Sequence, residues 1–332
     1  MRIETLRRPI AAFAAALCLT AATAAFLPTR SSAQSQDFKP IRWLVPYPAG
    51  GGTDVVARAI GQQMSTLTGH SVVIENKPGA ATAIAAQDTA RSAPDGATVL
   101  SGDNGTYVFN PFLFSKLSYK VEELAPIGLL ARFPLILVAA VDAPYKSLAD
   151  VTAAAKANPE AVKFASPGTG SPHHLAMEML MARSGIKAVH VPYRGVAPAV
   201  QDVLSGHVPT MVIDTVAGMP HIASGKLRPL AVFSGKRLAR LPDVPTFLEL
   251  GQSGVEIYAW QGLATTAGTP KATIDRLSGV LNAALQNPAT RKPLEDVGVE
   301  ILGGSPQVMA DYIRSETAIW GKLISERGLK IE

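Results

Sequence analysis

Two short stretches of the chain set backbone amides and hydroxyls where an anion could meet them. Pro48-Ala49-Gly50-Gly51-Gly52-Thr53-Asp54 leads from the apolar run Ile41–Val45 into a segment of helical period. Ser166-Pro167-Gly168-Thr169-Gly170-Ser171 leads in the same way from Lys163–Ala165 into Pro172–Ser184. Glycine has no Cβ, so its N–H can turn toward a ligand without obstruction. A helix N-terminus adds partial positive charge, and the two together form a receptor for carboxylate or phosphate. Thr53 and Ser171 could add hydroxyl donors, and Tyr47 stands beside the first loop as a ring that could shape a ligand. One loop in each half of the chain suits a two-jawed clamp on a carboxylate. An ordinary tight strand–helix turn explains either loop taken alone equally well.

Other chemistries fit poorly. A phosphate-binding ATPase loop needs Lys followed by Ser or Thr at the helix start, where Thr53-Asp54 stand. The second loop lacks G-x-G-x-x-G spacing for a dinucleotide. His174 and Glu178 have i, i+4 spacing, but no third and fourth metal ligand lies nearby, so His173 and His174 read as capping or packed residues. There is no G-x-S-x-G elbow and no H-E-x-x-H. A hydrolytic pairing of Ser166 or Ser171 with His174 lacks an orienting acid. Asp54 reads first as a cap on the positive helix end, and otherwise as a group that orients water or accepts from a ligand ammonium. Asp214 follows the apolar Met211–Ile213 at a strand's carboxyl end, where ligands of open α/β sheets bind. Capping of the next turn explains it equally well.

The elements that must position these residues alternate. Ile41–Val45, a helix from Asp54 to Gly69 and a strand at Val72–Ile74 form a β–loop–α–β unit, which predicts a parallel pair. Val55, Ile60, Met64 and Leu67 suit one helix face. A helix over Ala80–Ala93 and a strand at Thr98–Ser101 continue this first series. The second runs through strands at Leu135–Val141, Lys163–Ala165, Ala188–Val191, Thr210–Ile213 and Leu230–Phe233. Its helices are predicted over Leu148–Ala157, Pro172–Ser184, Ala197–Ser205 and Thr246–Leu250. Thr269-Pro270 and Ser305-Pro306 each read as N-cap and first residue of a C-terminal helix. Alternation of this kind indicates an α/β architecture.

The N-terminus reads as an export signal. Arg2, Arg7 and Arg8 precede the uncharged apolar run from Ile10 to Leu27, and Ser31-Ser32-Ala33 offers a cut before Gln34. The whole chain has 31 basic and 26 acidic side chains; residues 1–33 hold four Arg and one Glu, which leaves 27 against 25. No basic block remains to suggest nucleic acid. Cys18 is the single cysteine and would leave with the signal, removing disulfide and thiolate chemistry. Some 300 mature residues exceed the size at which one core keeps growing, so two domains are expected.

Five stretches in order carry a family likeness. They are Trp43 through Asp54, Glu75-Asn76-Lys77-Pro78-Gly79-Ala80, Ser166 through His174, His190-Val191-Pro192-Tyr193-Arg194-Gly195, and Leu241 through Thr246. Together they resemble the Bug-type extracytoplasmic receptors of the tripartite tricarboxylate transporters. The resemblance implies a type II periplasmic binding protein fold, with two α/β lobes joined by a double-crossover hinge. Lobe 1 would take residues 34–130, lobe 2 residues 131–230, and residues 231–332 would return to lobe 1. It further implies a monomer without cofactor or metal that is not an enzyme. Such a receptor takes a small mono- or dicarboxylate in the periplasm and passes it to integral membrane permease subunits; the alternative is a sensory protein that presents its ligand to a receptor kinase. The contacts it implies are Tyr47, Ala49, Gly50, Gly51, Gly52, Thr53, Asp54, Gly79, Ala80, Ser166, Gly168, Thr169, Gly170, Ser171 and Asp214. Ile213-Asp214-Thr215 departs from the Asp-Asn common there.

Overall fold

A computed structural model describes residues 39–331, so the export segment, the cut near Ala33 and Cys18 lie outside the described residues. Strand β1 (Ile41–Val45) enters the core directly, with the Trp43 indole donating to Ser101 Oγ. Helix α1 (Gly52–Thr68) packs over it through Val56, Ile60, Gly61 and Met64. The buried stripe therefore starts one residue later than the expected Val55, and Leu67 stays 48% exposed. Gly61 lets α1 sit close on the sheet, where a Cβ would come within 3.1 Å of the Ile74 side chain and press it aside. Gly69 ends α1 in the left-handed region. Strand β2 (Val72–Asn76) pairs parallel to β1, as the β–loop–α–β reading requires.

The next helix is shorter than expected. Helix α2 covers Ala83–Ala90, while Ala80, Ala81 and Thr82 all have positive φ. Three consecutive residues with side chains in that region cost roughly 1–2 kcal/mol each, and tertiary bonds must hold them. Asn110 donates to the Ala81 carbonyl at 2.7 Å, and Thr82 Oγ1 lies 2.9 Å from Thr106 Oγ1. Strand β3 (Thr98–Asp103) lies parallel to β1, followed by a π turn at Gly105–Phe109 and the short helix α3 (Asn110–Leu113).

The longest strand, β4 (Leu124–Ala140), joins two halves of a mixed sheet. The remaining elements are α4 (Leu148–Ala157), β5 (Lys163–Ser166), α5 (Pro172–Ser184), β6 (Val189–Pro192), α6 (Val196–Leu204), β7 (Thr210–Asp214), α7 (Thr215–Ala223) and β8 (Leu227–Val232). Then come β9 (Tyr258–Thr266), α8 (Lys271–Gln286), α9 (Pro288–Asp296), β10 (Glu300–Ile301) and α10 (Pro306–Arg327). The strand order is β2-β1-β3-β9-β4-β7-β5-β6.

Up to Pro134, β4 runs antiparallel to β9; from Leu135 it runs antiparallel to β7, with β8 also paired to its second half. The chain crosses back between β8 and β9, where Phe233 N–H donates to the Leu135 carbonyl and Ile257 N–H to the Phe233 carbonyl. This is a type II periplasmic binding fold with its double crossover.

Two sequence expectations need correction here. The parallel pairing expected from the β–loop–α–β unit holds for β1, β2 and β3 but does not extend to the centre, where β4 and β9 run antiparallel and their apolar lengths carry no direction signal. Thr246–Leu250 makes turns and not a helix: Thr246 and Glu249 bond each other's backbone N–H, and Gly251 then takes positive φ.

Candidate ligand-binding site

The first glycine loop borders a cavity of about 390 Å³. Tyr47 through Thr53 form one wall, and the opposite wall comes from the starts of α5, α6 and α7, through Pro172-His173, Gly195-Val196-Ala197 and Asp214 with Val216-Ala217. Two of the helix ends at this cavity have no side-chain cap. Gly51 and Gly195 are the N-caps of α1 and α6, and neither can supply a side-chain acceptor. The first N–H groups of a helix have no intrahelical partner, so these amides are open to an outside acceptor. Pro198, in the first turn of α6, removes one N–H that would otherwise need satisfying. The two ends approach closely: a Cβ on Gly195, where φ is 115°, would sit 3.2 Å from Pro48. By contrast Ser171 caps α5 by accepting from His174 N–H, and Asp214 caps α7 by accepting from Ala217 N–H.

Two buried acids line the same space. Tyr47 donates its hydroxyl to Asp103 Oδ2 at 2.6 Å, and Thr106 donates from N and Oγ1 to Oδ1. Burial pushes the Asp103 carboxyl up despite those donors, and it pushes the Tyr47 hydroxyl up as well. For Asp214 burial also acts upward, but His173, with Nε2 3.5 Å away, and the α7 amides outweigh it and hold the carboxyl below its ordinary range. Arg194 is the one Lys or Arg among the lining residues. Among the described residues, the buried side chains of His173 and Gln261 find no hydrogen-bond partner on either polar atom.

Asp54 stands behind the first loop and does not line the cavity. Its carboxylate accepts from Gly50 N–H, Arg58 and Asn76, while Asn76 also donates to the Tyr47 carbonyl. These donors outweigh burial and keep its pKa low. Asp54 thus braces the loop so that Gly51, Gly52 and Thr53 project forward.

The second glycine loop is placed differently. Only Pro167 of it reaches the first cavity; Gly168, Thr169, Gly170 and Ser171 line an adjoining one of about 630 Å³ with Gly79 and Ala80. Tyr47, Pro48, Arg194 and Gly195 border both spaces. Its amides at Gly168, Gly170 and Ser171 are engaged inside the chain. Ser166 Oγ lies 2.7 Å from His190 Nε2 and accepts from Gly168 N–H; Gly170 N–H donates to His174 Nδ1, and Ser171 N–H to the Gly168 carbonyl. His190 stacks on His174 at 3.9 Å between ring centroids. With Ser171 acting as a cap and His174 Nδ1 already accepting, these two residues form no nucleophile–base pair.

Residues 56–329 match the family described as tripartite tricarboxylate transporter family receptor. The chain belongs to that family. This receptor is 36% identical to a protein of Pseudomonas sp. (strain P51) over 87% of its length and 86% of the relative's. It is 34% identical to protein BugT of Bordetella pertussis, covering 91% and 93% of the two chains. Among solved structures it is similar to periplasmic binding protein BugD, at 33% identity and TM-score 0.83 over 88% of this chain and 99% of that one. It is also similar to a Rhodopseudomonas palustris protein determined with bound malate, at 30% identity and TM-score 0.82 over 87% and 99%. An R. palustris protein determined with adipate matches at 30% identity and TM-score 0.85, over 89% and 100%. The receptor is thus a Bug-type periplasmic solute-binding protein.

Sequence reasoning passed over the start of α6, Asp103, His173 as a cavity residue, and Gln261. Pro198 three residues after Gly195 is a helix-start signal that could have marked the first of these. Asp103 and Gln261 carry no local signal, since their meeting depends on β3 and β9 pairing across nearly half the chain.

Proposed function

We propose that this receptor is exported to the periplasm, with its signal cut near Ala33, and captures a small organic acid by its carboxylate. The amides of Gly52 and Thr53 on one side and of Val196 and Ala197 on the other receive the anion. Closure about the β4 and β8–β9 crossovers excludes water, and the closed form delivers its cargo to integral membrane permease subunits. In this reading the lobes take residues 34–130 with 231–332, and 131–230. The protein works as a monomer and performs no covalent chemistry. Closure of this kind requires only that cargo bind the closed state more tightly than the open one.

The observation that carries the reading is that both uncapped helix ends, at Gly51 and Gly195, border one cavity. Adipate and malate in the related structures support the ligand class. Isothermal titration of the mature protein with adipate and malate, alongside their neutral dimethyl esters, tests it. Binding of either acid without its ester supports carboxylate capture, and equal binding of acid and ester overturns it. Cargo at a hundredfold over its dissociation constant should add about 3 kcal/mol of stability. Co-purification of permease subunits from membranes on the cargo-loaded receptor tests the delivery step.

A further inference from the structure

The first cavity contains more than an anion clamp. Gln261 is 1% exposed and lines it, yet its amide oxygen and nitrogen both lack a partner among the described residues. Its position follows from the β9 register, where Gln261 sits between Asp103 of β3 and Ala131 of β4. Strand alternation sends its neighbours to the other face. There the Trp260 indole donates to Glu316, and Met309 covers Gly262 so closely that a Cβ would lie 2.5 Å from its methyl carbon. Gln261 therefore turns away from α10. A buried amide that is left unpaired is costly, so the bound state must supply both an acceptor and a donor. His173, which makes no hydrogen bond although its Nε2 lies 3.5 Å from Asp214, borders the same space.

Resting on the carboxylate reading above, we propose that Gln261 selects the far end of the cargo. The cargo is an organic acid with one carboxylate, whose other end is a neutral group that both donates and accepts, best matched by a primary amide. Two amides pair reciprocally, N–H to O in each direction, and satisfy both orphaned atoms of Gln261. A second carboxylate would accept from Gln261 Nε2 but would face its Oε1 with like charge. It would also join Asp103 and Asp214 in a space whose only lysine or arginine is Arg194. The site is built to reject a partner lacking the matching polar group, which is the stronger form of discrimination.

Isothermal titration of the mature protein with succinate, glutarate, adipate and pimelate, each beside its monoamide, tests the assignment. At the best-fitting length the monoamide is expected to bind about tenfold or more tighter than the diacid. Gln261→Leu should collapse that ratio toward one, and Gln261→Met, close in length and shape and without the amide, should do the same if the leucine variant fails to fold. Diacids that bind as tightly as or tighter than their monoamides at every length would overturn the selection while leaving carboxylate capture standing. An unchanged ratio in both folded variants would remove Gln261 from it. Failure of every acid and monoamide to bind would bring down the carboxylate reading and this inference together.

Discussion

The two glycine-rich loops look alike in sequence and do opposite things in the fold. Around Gly50–Gly52 the acceptors sit behind the loop, on Asp54, and the forward amides are left open. Around Gly168–Gly170 the chain supplies its own acceptors, from Ser166, His174 and the Gly168 carbonyl. Glycine content makes amides available in both. What separates an open loop from a brace is whether the neighbouring side chains satisfy those amides first.

The contrast breaks most sharply at Gly51. Its extended backbone, φ −82° and ψ 169°, suits an N-cap, and a Cβ there meets nothing within 4 Å. Gly51→Asp should therefore cap α1 internally and occupy the anion position. Titration with adipate should show a loss of roughly hundredfold, about 3 kcal/mol, from displaced charge-assisted bonds and like-charge repulsion. The melting temperature should hold or rise slightly, because Asp replaces Gly at a cap. Affinity retained in Gly51→Asp would remove the α1 end from the site.

Asn110 tests the loop that closes the second cavity. Asn110→Leu removes the donor to the Ala81 carbonyl and to Thr82 Oγ1, and it frees Ala80–Thr82 from their positive-φ conformation. Urea unfolding should report about 2 kcal/mol of lost stability. Ser166→Ala sharpens the comparison from the brace side. Loss of its contacts to His190 and Gly168 should lower stability by about 1 kcal/mol while adipate affinity changes by less than about twofold. A large loss of affinity in this variant would return the second loop to the binding surface.

The comparison also predicts a pH slope. Burial, reinforced by the neighbouring His174, lowers His190 from the ordinary 6.5 to about 3. The unfolded chain then binds more protons between those values, so this residue's contribution is complete above about pH 6.5 and declines as pH falls toward 3. Asp54 and Glu178, held low by their partners, change stability in the same sense at lower pH. Thermal melts from pH 7.5 to 4.5 should show a shallower fall for His190→Gln than for the parent. Equal slopes would show that His190 titrates alike folded and unfolded.

Local chemistry settled much of this protein before any fold was known. Ser171, Ser305 and Asp214 act as caps because an oxygen at that position bonds an amide two or three residues away, whatever the surroundings. The β1–α1–β2 unit likewise follows from short-range periodicity and a glycine stop. Periodicity could not supply the antiparallel centre, because a buried run such as Leu124–Ala140 is apolar on both faces and carries no mark of its partner. Nor could it show which loop stays open. That outcome depends on where His190, His174 and Asp103 arrive from distant segments, and on a β9 register that delivers Gln261 to the cavity. Capping is decided within one turn of chain. An unsatisfied polar atom exists only after every other segment has taken its place, so tertiary structure alone decided what this cavity can select.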